Sequence, residues 1–153
     1  MEEWQVKLEK IIKKRERRDQ DSALNKSKIA ERHQEVDEFF KSIVLSTFFE
    51  VKEELEKHKR QVEIVEPEYT QNMKSSSIIV SFQGKKDFKY NITVDITVEK
   101  AVVTSEHHCM ITGRLRAGWL HAGEDWGGTR ISTVTKENII IDFLNGYDYC
   151  MIY

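Results

Sequence analysis

The chain has 153 residues and a formal net charge of −2, with 39% apolar and 33% charged residues. This length suits one domain, and the near-neutral charge gives no overall reason to expect nucleic acid or an anionic membrane as a partner. The ordinary glycine content and the single proline argue against a low-complexity, disordered chain. We therefore expect a single domain over residues 1–153.

The sequence contains no apolar run long enough to span a bilayer, because the richest one, Phe39–Val51, is short and carries charges. The start, Met1–Lys10, lacks the apolar segment of a signal peptide. These features predict a small, soluble, cytoplasmic protein with no membrane partner. In that compartment Cys109 and Cys150 are expected to be reduced thiols.

The first sixty residues contain no glycine and no proline, which favours helix. A short apolar stripe at helical spacing comprises Trp4, Leu8, Ile11 and Ile12. Lys13–Ser22 then has no apolar residue, so it is either a solvated helical arm or a break before a second helix capped by Asn25 or Ser27. We assign 1–24 to a protruding arm and 25–60 to a core helix.

The core helix has its own apolar face, with positions spaced by three, four or seven residues. These positions are Ile29, Val36, Phe40, Ile43, Val44, Thr47, Phe48, Val51 and Leu55. Such a stripe predicts that the helix packs across one face of a sheet.

Residues 61–134 are predicted to form an antiparallel sheet. Phe88–Glu99 alternates apolar and polar residues over its whole length, which predicts a long strand with one face on a core and one in water. The turn Gln83–Asp87 links it to an earlier strand, Ser76–Phe82. Val62–Glu66 is predicted as a first strand that stops at Pro67.

Glu106–Gly128 is rich in chemically active side chains, and its first part reads as one further strand. In that strand the core side holds Cys109, Ile111, Leu115, Ala117 and Trp119, and the wet side holds His108, Met110, Thr112, Arg114 and Arg116. Gly113 is the expected site of a bulge. The remainder is expected to be a loop that Trp119 and Trp126 pin to the domain.

Residues 135–153 fit either a C-terminal helix capped by Thr135 or a hairpin turning at Asn145-Gly146. The helix is favoured, because Asp142 and Asn145 would then lie on its outer face. The predicted fold is α+β: a long N-terminal helical region on one face of an antiparallel sheet of about four strands, with a C-terminal helix.

A metal site is not expected. His107 and His108 are adjacent in a strand, so they point to opposite faces and cannot bind one ion together. The sequence also lacks the close cysteine and histidine spacings of known zinc sites. No cofactor is expected.

A catalytic site has weak candidates in the 120–130 loop, where His121, Glu124 and Asp125 lie close in sequence. The sequence has no nucleophile elbow and no phosphate-binding glycine loop. It therefore favours a protein that is not an enzyme, with a small enzyme as a second alternative.

Nucleic-acid binding is the first alternative. The segment 7–18 holds seven cations against two anions, and a helix of this kind could track phosphates. The cations are Lys7, Lys10, Lys13, Lys14, Arg15, Arg17 and Arg18. The sheet's polar face offers no stacking aromatic residues for RNA.

Protein association is the function that the sequence favours. An apolar stripe separated from the core stripe by a polar stretch is better buried against a partner than left in water. The expected partner-binding residues are Trp4, Leu8, Ile11, Ile12 and Trp126. The partner would be another protein or a second copy of this chain, unless the stripe folds back onto its own domain.

Overall fold

The structure, a computed structural model, describes residues 2–97, 100–122 and 129–152. It has the predicted α+β fold. Helix α1 spans Glu3–Phe39, a π-helical turn follows at Phe40–Val44, and helix α2 continues over Leu45–Lys57. After the sheet, helix α3 spans Lys136–Ile152.

Helix α1 runs without a break through Lys13–Ser22. No second helix begins at Asn25 or Ser27, so the predicted caps at those positions are wrong. The polar segment stays helical because it consists mainly of lysine, arginine, glutamate and glutamine, which are good helix formers. An ion pair of 3.1 Å between Lys13 Nζ and Glu9 Oε1 supports the same turn.

The described part of the sheet has six antiparallel strands in the order β1-β2-β3-β4-β5, with β6 beside β4. Their bounds are Gln61–Thr70 for β1, Met73–Phe82 for β2, Lys85–Ile96 for β3, Ala101–Cys109 for β4, Arg114–Ala117 for β5 and Thr129–Arg130 for β6. The long alternating strand is confirmed as β3. Of its predicted residues, Val98 and Glu99 lie outside the described part of the chain.

The sequence predicted that the first strand stops at Pro67, and this prediction is wrong. The strand continues to Thr70, with a shift in its pairing register between Val65 and Glu68. Because β1 is the edge of the sheet, the missing N–H of Pro67 can face away from the ladder at this irregularity.

One face of the sheet carries the core and the other is partly wet. In β3 the residues at 88, 90, 92, 94 and 96 are all buried, whereas 89, 91, 93 and 95 are half-buried or exposed. The helices supply the opposite wall of the core through Val36, Phe40, Val44 and Phe48, and through Ile139 and Phe143. The edge of Phe48 meets the ring of Tyr90, and that of Phe143 meets Phe88.

The segment after Cys109 turns back and does not extend β4. The predicted single strand is therefore wrong, because residues 110–113 form a turn, and Arg114 returns to pair with Cys109. Gly113 belongs to this turn and is not a bulge; its φ of 72° lies in the left-handed region that favours glycine.

The C-terminal helix is confirmed and the hairpin alternative is wrong. Thr135 caps α3, since the Asn138 N–H donates to Thr135 Oγ1 at 3.2 Å. The predicted outer position of Asp142 is wrong, because its side chain is completely buried. A helix with isoleucines all round gives no single apolar stripe from which the inner face can be identified.

Cys109 and Cys150 form a disulfide, so the expected reduced thiols are wrong. Their Cα atoms lie 5.1 Å apart although 41 residues separate them in the chain. The end of β4 and the last turn of α3 meet only in the folded structure. The bond therefore ties the C-terminal helix to the sheet.

Helix α1 is fixed where it leaves the sheet. Asp37 accepts hydrogen bonds from Lys74 Nζ at 2.7 Å and from the Tyr69 hydroxyl at 2.5 Å. These two donors hold the pKa of Asp37 below its usual value. The Tyr69 ring also stacks on His33, with centroids 4.9 Å apart. Together they set the direction in which the N-terminal part of α1 points.

Among the described residues, no helix combines the length and apolar character that crossing a membrane requires.

Candidate functional site

Residues 2–28, called the arm below, form the N-terminal part of α1. Every residue of the arm is exposed, and Ile29 is the first that is even partly buried. At 1.5 Å per residue the arm is about 40 Å long. The stripe therefore does not fold back onto its own domain.

The apolar stripe, meaning Trp4, Leu8, Ile11 and Ile12, lies on one side of the arm. Trp4 is 59% exposed and Ile11 is 65% exposed. The start of the helix orders Trp4, because its Nε1–H donates to Glu2 Oε2 at 2.9 Å while the Glu2 N–H donates to Gln5 Oε1. A large aromatic ring is thus held in place on a solvated surface.

The two flanks of this stripe differ in charge: Lys7 and Lys14 lie along one flank, and Glu9 and Glu16 lie along the other. All seven predicted cations, from Lys7 to Arg18, are exposed. Lys13 is paired with Glu9. The arm therefore presents an apolar centre between a basic flank and an acidic flank, which suits an apolar partner surface whose two edges carry the opposite charges.

A second surface, called the groove below, lies between the C-terminal part of α1 and the segment 131–134. Its volume is about 730 Å³. The apolar lining comes from Phe39, Ile43, Ile131 and Val134, and the carboxylates of Glu35 and Glu38 lie along it. Sequence reasoning missed the groove, because its two walls are about ninety residues apart in the chain.

A third exposed apolar surface lies beside α3. Trp119 is 62% exposed, and it lines a cavity of about 230 Å³ together with Leu120 and Ile141. The expectation that Trp119 pins the loop is therefore wrong for its ring; its backbone N–H instead donates to Asp142 Oδ1 at 2.8 Å.

The loop candidates are described only in part. His121 belongs to a 3₁₀ turn over Trp119–Ala122. For His121 the structure describes the backbone. Glu124, Asp125 and Trp126 lie outside the described residues. Their predicted roles remain predictions.

The structure does bring together a cluster of buried polar groups that sequence reasoning did not find. At its centre is the carboxylate of Asp142. Its Oδ2 accepts hydrogen bonds from the Ser105 hydroxyl at 2.5 Å and the Tyr90 hydroxyl at 2.6 Å. Its Oδ1 accepts the Trp119 N–H and lies 3.2 Å from His107 Nε2, off the line of a good hydrogen bond.

His107 is held from its other side by a cation. Arg116 Nε donates to His107 Nδ1 at 3.1 Å, and the same guanidinium stacks on the Tyr149 ring at 4.3 Å. Since the arginine has only hydrogens to offer, Nδ1 must be the accepting nitrogen. The ring proton is therefore on Nε2, where it faces Asp142. The side chain of His107 is fully buried.

This cluster keeps the carboxylate ionised. Burial raises the pKa of Asp142, but the surrounding donors lower it by more, so that it lies below its usual value. Burial, and then the adjacent carboxylate, raise the pKa of Tyr90 well above its usual value. The cluster thus contains one buried anion stabilised by neutral donors.

The arrangement does not match that of nucleophilic catalysis. In a serine hydrolase the histidine takes the proton of the serine hydroxyl, whereas Ser105 Oγ here bonds to Asp142. Ser105, His107 and Asp142 are also all buried. The hydrogen bonds of the cluster join α3 to β3 and β4.

Within the part of the chain that the structure describes, no group of three histidine, cysteine or acidic side chains could hold a metal ion. Comparison of the chain with protein-family models, curated proteins and solved structures finds no significant match.

Proposed function

We propose that this protein is a non-catalytic interaction protein whose arm binds a protein partner. The observation that carries this proposal is the exposed apolar stripe on a helix that makes no use of it for its own fold. Burying one large apolar side chain is worth about 1.5–3 kcal/mol. A partner that covers the stripe recovers this free energy for several side chains at once.

The polar core supports the non-catalytic part of the proposal. The described residues that resemble catalytic groups, namely Ser105, His107 and Asp142, are buried and engaged with one another. The small-enzyme alternative therefore depends on His121, Glu124 and Asp125 alone, and it stays a prediction.

The experiment compares two leucine-to-glutamate substitutions on helix α1. Leu8→Glu places a charge in the stripe, while Leu24→Glu places it on another side of the arm at a position that is also exposed. For each protein we measure the mass in solution and the recovery of partners during purification from the native cells. Leu8→Glu should lose association that Leu24→Glu retains.

The proposal is overturned if Leu8→Glu and the unmodified protein have the same mass and recover the same partners in the same amounts. Loss of association in both variants would also count against it, because the charge and not the stripe would then be responsible.

Nucleic-acid binding is the second candidate, favoured by the exposure of all seven cations from Lys7 to Arg18. Binding to phosphates releases counterions, so affinity should fall steeply with salt. Titration with duplex and single-stranded oligonucleotides at two salt concentrations tests this. Absence of binding, or binding that salt leaves unchanged, removes the candidate.

A cytoplasmic location is a separate proposal, and the disulfide counts against it, because such bonds persist mainly in oxidising compartments. Alkylation of free thiols at the moment of cell lysis tests the location. Mostly reduced Cys109 and Cys150 would support the cytoplasm, and mostly oxidised residues would contradict it.

A further inference from the structure

We propose that the arm of one copy binds in the groove of a second copy, so that copies join head to tail. This inference rests on the proposed function of the arm as a docking element, and it names the partner and the docking site. Four features of the described residues support it: matching length, matching charge, the rigidity of α1 and the helical phase of the two surfaces.

The lengths of the two surfaces agree. The stripe extends from Trp4 to Ile12, and the helical wall of the groove extends from Gln34 to Ile43. At 1.5 Å per residue the two spans are each about 12–14 Å. The apolar side chains of the stripe can therefore all lie over the apolar lining of the groove.

One flank of the stripe is opposite in charge to one side of the groove. One flank of the stripe carries Lys7 and Lys14, whereas the groove carries Glu35 and Glu38. Glu31 lies on the same side of α1 as these two, at the spacing of four and seven residues. An arm seated in the groove can bring its basic flank to this acidic side.

The orientation of the arm follows from the neighbouring charges. A separate depression on the other side of Glu35 is lined by Arg32, Lys100 and Arg130. The basic flank of the arm would be repelled there, and its acidic flank would be attracted. The basic flank should therefore lie toward Glu38 and Glu31.

The arm cannot reach the groove of its own chain. Both belong to α1, which is continuous from Glu3 to Phe39. Ile12 and Glu35 are 23 residues apart, which is about 35 Å along a rigid helix. Any arm that occupies the groove therefore comes from another copy.

The angular positions of the stripe and of the acidic residues around α1 require a head-to-tail contact between copies. At about 100° per residue, the mean direction of the stripe and that of the acidic residues 31, 35 and 38 differ by about 160° around α1. Two straight helices lying side by side cannot make both contacts with each other at once. Each copy therefore gives its arm to one neighbour and receives the arm of a different one, which leads to an open assembly.

The experiment uses one variant that disables the arm and one that disables the groove. Leu8→Glu blocks the stripe, and the double substitution Glu35→Lys/Glu38→Lys reverses the charge of the groove at exposed positions. Glu53→Lys/Glu56→Lys on α2 is the matched control, with the same spacing and exposure. Mass is measured by sedimentation over a wide range of protein concentration.

The unmodified protein and the α2 control should form a series of masses that grows with concentration. Each blocking variant alone should associate at least about tenfold more weakly, a change of about 1.4 kcal/mol. An equimolar mixture of the two blocking variants should give a one-to-one complex and nothing larger, because only one intact arm and one intact groove meet.

Two results overturn this inference. The first is a groove variant that associates as strongly as the unmodified protein, or an equimolar mixture of the two blocking variants that stays monomeric. Either result would mean that the arm binds a surface other than the groove, and the proposed docking role of the arm would survive. In the second, the unmodified protein is monomeric throughout the concentration range. Failure of the docking role itself is recognised separately, by a Leu8→Glu variant that keeps both its mass and its partners.

Discussion

Gly146 of α3 lies directly against the imidazole of His107. A Cβ atom at position 146 would overlap the ring carbons and lie 2.7 Å from His107 Nε2. Gly118 has the same relationship to Asp142, since a Cβ there would lie 2.7 Å from Oδ2. The two glycines allow the helix and the strand connection to approach the buried cluster closely enough to satisfy its carboxylate.

Gly146→Ala should therefore destabilise the protein although alanine is the better helix former. Alanine gains up to about 1 kcal/mol of helix propensity, but the overlap with His107 displaces a buried ring, and such overpacking costs about 1–3 kcal/mol. We expect a net loss in the free energy of unfolding, measured in urea. Asp148→Ala, at an exposed position of α3, should leave it nearly unchanged; equal stability of the two variants would contradict the packing argument.

Asp142→Asn should cost about 3–5 kcal/mol at neutral pH, because the amide places hydrogens where buried donors require an acceptor. The folded pKa of Asp142 lies below its ordinary value of 3.8. Its contribution is therefore complete above that value and is lost as the pH falls through the folded pKa. The stability difference from the unmodified protein should shrink below about pH 4.

The measurement is urea unfolding of both proteins from neutral to strongly acidic pH, with Asp148→Asn as the exposed control on the same helix. If the difference in the free energy of unfolding between the two proteins stays constant across this pH range, the cluster does not stabilise the ionised form of Asp142.

Removal of the disulfide should lower the free energy of unfolding by about 2–4 kcal/mol. The bond closes a loop of 41 residues, and the entropy of the unfolded chain rises when that loop opens. The double variant Cys109→Ala/Cys150→Ala is compared with the unmodified protein, with and without reductant. Reductant should destabilise only the unmodified protein; an equal effect on both would place its action elsewhere.

Deletion of residues 1–18 should leave the fold as stable as before, within about 0.5 kcal/mol, since every one of the described residues removed is exposed. The helical circular dichroism signal should fall in proportion to the helical residues removed, while the temperature of the thermal unfolding midpoint should not change. A large drop in the midpoint would mean that the arm packs against its own domain.

The elements of the fold were predictable where one face of a segment is consistently buried. The alternation from Phe88 onward predicted β3, and the spacing from Val36 to Phe48 predicted the helical face that covers the sheet. The same reasoning failed after Cys109, where apolar Ile111 and Leu115 continued the alternation although both are exposed in the hairpin. A period of two identifies a face only while the chain stays in one strand.

The solvation of Lys13–Ser22 was predictable, because a run without apolar residues cannot be buried by any packing. Whether the stripe before it protrudes or folds back was not predictable, and neither were the groove and the Asp142 cluster. The donors to Asp142 come from positions 90, 105, 107 and 119, on elements that meet only after the sheet has formed. No local pattern distinguishes an aspartate with such partners from one on a solvated helix face.

The sequence by itself determined the helical N-terminal half, the alternating strand β3 and the solvation of Lys13–Ser22, because each depends on the side chains of one segment and on their exposure to water. The tertiary structure decided the pairing of Cys109 with Cys150, the burial of Asp142 and the groove beside α1. Each of these requires groups far apart in the chain to lie within a few ångströms, and periodicity carries no information about such partners.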